Sequence, residues 1–307
     1  YRQFGYEYAL ELEGRRVAYL DRVPSIPEGT PEPYTLRAAT AEDIPRIMEL
    51  YNRRRAESMV WPQVPESFWR YQLAESPNPN LTGKQACARL LVDAAGTIQG
   101  YLIVATRRWE KELPVWAVDI APTVNWQEVL FPLLRALQRY GEQIPAMNPE
   151  AEHLRGISFV LRGAHPIYEV LSQQIAPLVE APYAWYVRVP DLLAFLRLIA
   201  PVLEKRLAAS PAAHYSGELK LDLYRSGLRL VFERGRLTQL EPWRAPLYKN
   251  NFDVQCPPLV FLQLLFGYRS LDELRAAFPD VQAAGQADLL LRALFPKKVS
   301  WMMAVVD

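Results

Sequence analysis

Apolar residues recur along this chain with two different periods, and the period predicts where helices and strands fall. Ile44, Ile47, Met48 and Tyr51 lie three and four apart, which is one buried face of a helix. Thr40 stands ahead of that run with Asp43 three residues on, a near capping box that marks the helix start. Val129, Leu130, Leu133, Leu134 and Leu137 repeat the helical spacing within residues 125–141, with Gly141 as the expected C-cap. Strand-like segments surround these helices. Residues 8–12 and 16–20 flank Gly14, and residues 34–39 follow a proline-rich connection at 23–33. Residues 88–92 and 98–106 predict a hairpin about Asp93-Ala94-Ala95-Gly96, followed by strands at 115–120, 156–161 and 185–189 and a short helix at 165–174.

The pattern changes at Pro190. Leu192, Leu193, Leu196, Ile199, Leu203 and Leu207 predict one long amphipathic helix. Residues 217–224 and 227–233 then alternate as a hairpin, with Leu219, Leu221 and Leu223 facing Leu228, Leu230 and Phe232, and a third strand follows Gly235. Three short helices, at 258–266, 271–278 and 287–295, complete the chain. The fold class is therefore α+β.

Composition narrows the function classes. A chain of 307 residues that is half apolar is long enough for about two domains with sizeable cores. Lys+Arg 35 against Asp+Glu 34 provides no overall field for nucleic acid or an anionic membrane, so neither is expected as a partner. The longest apolar stretches, such as 259–266, are too short to span a bilayer. Cys87 and Cys256 sit in apolar contexts and are expected to be buried free thiols, which suits a reducing cytoplasm. His153, His165 and His214 are too widely spaced to suggest a metal site. The chain opens without an initiator Met, a basic n-region or an apolar h-region, so it is expected to begin inside a domain.

Certain segments carry a resemblance. Tyr1-Arg2-Gln3-Phe4-Gly5-Tyr6 resembles the Tyr-x-x-x-Gly-aromatic segment that closes a GNAT acetyltransferase domain. The strand at 34–39, the capped helix with Ala41-Glu42-Asp43 and its arginine-rich end resemble the opening of a second such domain. Where that domain would hold the acetyl-CoA pyrophosphate on a glycine-rich loop, this chain reads Ala121-Pro122-Thr123-Val124-Asn125-Trp126-Gln127. With no glycine, a proline and a bulky Trp, this loop predicts a degenerate copy without a cofactor pocket. A literal match, Gln282-Ala283-Ala284-Gly285-Gln286-Ala287, follows Phe278-Pro279-Asp280 among short helices and lacks the context of a cofactor loop. The tail, with Leu262-Gln263-Leu264-Leu265-Phe266-Gly267-Tyr268-Arg269-Ser270 and Leu294-Phe295-Pro296, resembles the sterol-carrier-like domain of the enhanced intracellular survival family.

The chain thus resembles that family without most of its first GNAT domain. The boundaries implied are 1–33 for the end of the first domain and its linker, 34–189 for the degenerate GNAT-like domain and 190–307 for the sterol-carrier-like domain. The resemblance implies acetyl-CoA-dependent transfer of acetyl to a small-molecule or lysine amine, and homo-oligomers that are commonly hexamers. It implies catalytic roles for Tyr1, as the acid that protonates the departing thiolate, and for the terminal carboxylate, here on Asp307, as the base. Trp61, Phe68, Trp69 and Tyr71 form an aromatic cluster in which Trp61 and Trp69 are candidates to line an amine pocket, the ordinary alternative being core. Arg53-Arg54-Arg55 could reach CoA phosphates, although a helix end facing water is the expected role. The alternative to an enzyme is a lipid- or sterol-binding protein, or an oligomerisation scaffold.

Overall fold

The computed structural model describes residues 1–73, 86–150, 153–244, 251–283 and 285–302. The chain forms two compact units. One comprises Tyr1–Glu11 and Ala184–Ser300, the other Leu12–Tyr183 and the segment from Trp301 onward. These boundaries differ from 33/34 and 189/190 for a reason of strand pairing. Strand β1 (Glu7–Leu12) is followed after Glu13 by β2 (Gly14–Tyr19), and the two enter different sheets.

The second unit is built on a seven-stranded sheet. Its chain order runs β2, β3 (Tyr34–Ala38), α1 (Ile44–Glu57), α2 (Glu66–Leu73), β4 (Ala86–Asp93), β5 (Ile98–Ala105), β6 (Glu112–Ile120), α3 (Trp126–Gln143), β7 (Gly156–Leu161), α4 (Ile167–Val170) and β8 (Leu178–Glu180). The spatial order is β3-β4-β5-β6-β7-β2-β8. All neighbouring pairs are antiparallel except β6 and β7, which run parallel. The capping box forms as predicted, with the Asp43 carboxylate accepting from the Thr40 amide at 2.8 Å and bridged to Arg37 at 2.7 Å. Below it Ile44, Ile47, Leu50 and Tyr51 are buried. α3 packs Val129, Leu130, Leu133, Leu134 and Leu137 onto the opposite face of the sheet in a core with Leu113, Val115 and Phe159. Gly141 is not its C-cap. The helix continues to Gln143 and ends at Ile144, while Gly141 is buried where a Cβ would come within 2.7 Å of the Leu154 side chain. The helix expected at 165–174 is limited to α4.

The first unit carries a two-stranded sheet, in which β1 pairs with β9 (Tyr183–Val187), and a separate five-stranded sheet. The predicted long helix is broken into α5 (Leu192–Leu198) and α6 (Ala200–Ala208), because Pro201 removes an amide donor at the start of the second. The remaining elements are β10 (Gly217–Asp222), β11 (Gly227–Glu233), β12 (Arg236–Pro242), β13 (Val254–Gln255), α7 (Pro258–Leu265), α8 (Leu271–Ala277), β14 (Gln282–Ala283) and α9 (Gln286–Leu294). The leucine hairpin pairs as its alternation predicts, with Leu219 opposite Leu230 and Leu221 opposite Leu228. Its apolar face, with Leu203, Leu207, Phe261, Leu291 and Phe295, forms the core of this unit. No helix among the described residues is long and apolar enough to cross a membrane.

Candidate active site in the splayed sheet

The backbone of the second unit opens at one place. The parallel ladder between β6 and β7 pairs only Glu112–Val115 with Gly156–Phe159, and beyond it both strands run on without pairing to each other. Residues Trp116 to Asp119 of β6, Leu161 at the end of β7, and Arg162 and His165 after it line the resulting cleft, with Arg54 and Trp61 from the α1 side and Tyr101 from β5.

A buried ion pair anchors one wall. Asp119, 2 % exposed, accepts from Arg54 through Nη2 at 2.9 Å and Nε at 3.2 Å, and its Oδ1 also accepts from the Ile120 amide at 3.0 Å. Arg53 reaches the same carboxylate at 3.3 Å and donates to the Ile120 carbonyl at 2.8 Å. The arginine run Arg53-Arg54-Arg55 therefore does not simply face water as expected. Two of the three bend inward to satisfy an acid on the central strand. Burial is the largest single influence on Arg54 and opposes its charge, but the hydrogen bond to Asp119 and the charges of Asp119 and Glu57 together hold the guanidinium above its ordinary pKa.

The remaining titratable groups are kept from titrating near neutral pH. His165 is buried and donates from Nε2 to the Val118 carbonyl at 2.9 Å, while Nδ1 accepts from the Ile167 amide at 3.2 Å, which fixes one neutral tautomer. Burial first, and Arg162 second, push its pKa well below the usual imidazole range. Burial raises Tyr101 well above an ordinary tyrosine, and raises Tyr51 as well. Arg162 lies over the Trp61 ring at 5.1 Å. What remains of the cleft is a cavity of about 20 Å³, room for about one water.

Trp301 fills much of the rest. It is 6 % exposed, its amide donates to the Val60 carbonyl at 2.9 Å, and its ring lies 4.6 Å from Trp61 and 6.1 Å from Tyr51. No pattern in the sequence points to this residue, because a lone Trp outside any periodic run has no partner to reveal its face. Trp61 lines the cleft. Trp69 is 1 % exposed, edge-on to Tyr51 and Tyr101 in the core, and has no surface to offer a ligand.

The loop ahead of α3 is closed by its own side chains. Asn125 caps the helix by accepting from the Gln127 amide at 2.9 Å, the Val124 amide donates to Ala121 at 3.0 Å, and Pro122 has no amide hydrogen. Two amides of this loop, those of Val124 and Gln127, are thus already engaged, and Pro122 offers none.

Tyr1 lies in the first unit. The 3-10 turn Arg2–Phe4 ends on Gly5 at φ 84, the left-handed conformation that glycine adopts readily, and the chain then enters β1. The Tyr1 ring is 75 % exposed, 4.9 Å from Tyr186 and 6.1 Å from Tyr6. Beneath it Glu7, 2 % exposed, pairs with Arg2 at 2.7 Å, and the Tyr8 and Tyr186 hydroxyls are hydrogen-bonded. Asp307 lies outside the described residues. No group of three or more potential metal ligands occurs among the described residues.

A meander of antiparallel strands, a parallel pair that splays and a long helix between the splayed strands are the fold of the GCN5-related N-acetyltransferases. The chain is similar over 98 % of its length to three crystal structures. They are a GCN5-related N-acetyltransferase from Anabaena variabilis ATCC 29413 (TM-score 0.63, 14 % identity, 69 % of that chain covered), one from Kribbella flavida (0.58, 19 %, 66 %) and Eis1 from Mycobacterium abscessus (0.51, 13 %, 69 %). The chain spans about two thirds of the length of each. No family model and no curated protein matches the sequence.

Proposed function

We propose that this chain is part of an acetyl-CoA-dependent N-acetyltransferase related to the enhanced intracellular survival family. In this reading acetyl transfer takes place on a GNAT fold closed by residues 1–6, and the second unit is a degenerate, non-catalytic copy. The observation that carries it is the geometry at Tyr1: a tyrosine four residues before a left-handed glycine that leads into a strand, in a chain with an acetyltransferase fold. The amine attacks the thioester carbon, the nitrogen gives up a proton and the C–S bond breaks. The Tyr1 hydroxyl supplies the proton that the departing CoA thiolate takes up, and the chain's terminal carboxylate accepts the proton from nitrogen. An α-carboxyl is a weak base, of pKa about 3.3–3.7, so it acts mainly through position and charge.

The degenerate reading of the second unit is supported by what fills its cleft. His165 occupies the Val118 carbonyl on the inner strand, Asn125 occupies the helix N-terminal amide, and Trp301 and Trp61 fill the space. The first unit is read as carrying the sterol-carrier-like domain, on the basis of its helix-covered antiparallel hairpin. Assembly as a homo-oligomer belongs to the same proposal.

The test is to assay the intact protein of which this chain is part with acetyl-CoA and a panel of polyamines, aminoglycosides and lysine peptides, with the variant in which Phe replaces Tyr1 of this chain alongside. The expected result is acetylation of at least one amine and a fall of about 10²–10⁴-fold in turnover for the Phe variant. No turnover with any amine, or full activity in the Phe variant, overturns the proposal.

A further inference from the structure

The first unit holds an open concavity of about 470 Å³ along one face of α6. Ala200, Pro201 and Ala208 give it an apolar floor, and Lys205, His214, Arg234 and Arg236 bring basic groups to its wall. The one acid among its lining residues is already engaged. Glu204 accepts from Arg236 Nε at 3.0 Å through one oxygen and from the Leu237 amide at 3.0 Å through the other. Lys205, His214 and Arg234 have no acidic partner among the described residues.

Several other cations of the unit are paired. Elsewhere in the unit Arg229 is held between Glu218 and Glu241, Arg292 between Asp272 and Asp288, Arg275 on Asp288 and Lys297 on Glu273. The position of Arg234 is fixed by the chain. Glu233 pairs with Arg236, so Arg234 and Gly235 form a two-residue turn with φ 47 and 82, the left-handed pair that a tight hairpin of this hand requires. The Arg234 amide donates to Ser216 Oγ at 2.8 Å and the Gly235 amide to the Tyr215 carbonyl at 2.8 Å, which ties the turn to the segment carrying His214.

An unpaired lysine and arginine and a histidine lining the same concavity as an apolar floor define a ligand by its chemistry. We propose that this concavity binds an amphiphilic phosphate monoester, with the phosphate between Lys205, His214 and Arg234 and a short alkyl or aryl body on Ala200, Pro201 and Ala208. Arginine and lysine recognise a phosphate through charge-assisted donors, and the apolar floor adds area that a free ion cannot use. The inference is independent of the acetyl-transfer reading, since no residue of it enters that chemistry.

The test is isothermal titration of the full chain with hexyl phosphate, inorganic phosphate and hexanol at low salt. Hexyl phosphate is expected to bind saturably, at least about tenfold more tightly than inorganic phosphate, with no binding of hexanol. The double variant Lys205→Gln/Arg234→Gln, whose side chains are exposed and hold no partner in the fold, should weaken binding by about tenfold or more, with native near-ultraviolet circular dichroism. Arg225→Gln, which removes an exposed charge elsewhere in the unit, should leave it unchanged. Absence of saturation up to about 10 mM, equal affinity for inorganic phosphate, or equal effects of the double variant and Arg225→Gln each overturn the proposal.

Discussion

The indole of Trp301 lies 4.6 Å from that of Trp61, so residues 240 positions apart in sequence close one cleft within the same unit. The backbone bond from the Trp301 amide to the Val60 carbonyl fixes the approach, and Tyr51 stands at the edge of both rings. Removing either ring would leave its partner beside a void lined by Arg54, Arg162 and His165. Trp301→Ala should therefore destabilise the second unit by about 3–5 kcal/mol, and Trp301→Phe by clearly less. Denaturant titration followed by circular dichroism checks this, and a change in Trp301→Ala below about 1 kcal/mol would show that the ring is peripheral to the packing of the cleft.

The carboxylate of Asp119 decides the placement of two arginines. Replacing it with Asn leaves the largely enclosed Arg54 with Glu57 as its remaining acidic partner, and a bidentate carboxylate is lost from the protein interior. Breaking such a pair from one side costs about 3–5 kcal/mol, whereas replacing both partners by apolar residues of similar volume costs far less. Asp119→Asn should accordingly be more destabilising than the double variant Asp119→Leu/Arg54→Met. An equal loss in both would mean that the site depends on shape and not on charge pairing.

Much of the fold was legible because periodicity reports burial. The face of α1, the leucine face of α3 and the pairing of Leu219 with Leu230 follow from spacing alone. Two features were not legible and a third only in part, each for a physical reason. β2 lies beside β7, more than 130 residues on, and a local pattern carries no signal of a distant partner. The break between α5 and α6 needs only one proline inside an unbroken apolar stripe. The cleft itself was half visible. The missing glycines before α3 could be read directly, and Trp61 was a candidate for an amine pocket, with core as the ordinary alternative. Arg54 looked solvated because the acid that draws it inward sits 65 residues away on another element. His165, Arg162 and Trp301 formed no pattern at all, since single residues at the end of a strand or a tail carry no period.

The two thiols should report the integrity of each unit separately. Cys87 lies within 3.4 Å of the Tyr140 hydroxyl in the second unit, and Cys256 is 1 % exposed in the first, where burial pushes its thiol up to about 12. A thiol reacts as the thiolate and only when reached by reagent, so neither should react with Ellman's reagent in the native protein. In denaturant both should react, each at the transition of its own unit. Rapid labelling of Cys256 under native conditions would contradict its place in the core.

His165 makes the second unit sensitive to mild acid. Its folded pKa lies well below the imidazole value, so the unfolded chain takes up a proton at a pH where the folded one does not. Stability contributed by the neutral ring is complete above the unfolded pKa of about 6.5 and falls as the pH drops below it toward the folded value. The ring cannot accept the proton without giving up its Nδ1 bond from the Ile167 amide and placing a charge beside Arg162. The wild-type protein should thus lose stability between about pH 7 and pH 5. His165→Gln keeps a side-chain donor for the Val118 carbonyl but has no proton to gain, and should flatten that slope while lowering stability at pH 7 by about 1–2 kcal/mol. Melting temperatures of both proteins across this range decide the matter. A slope unchanged in the Gln variant would assign the pH dependence to groups other than His165.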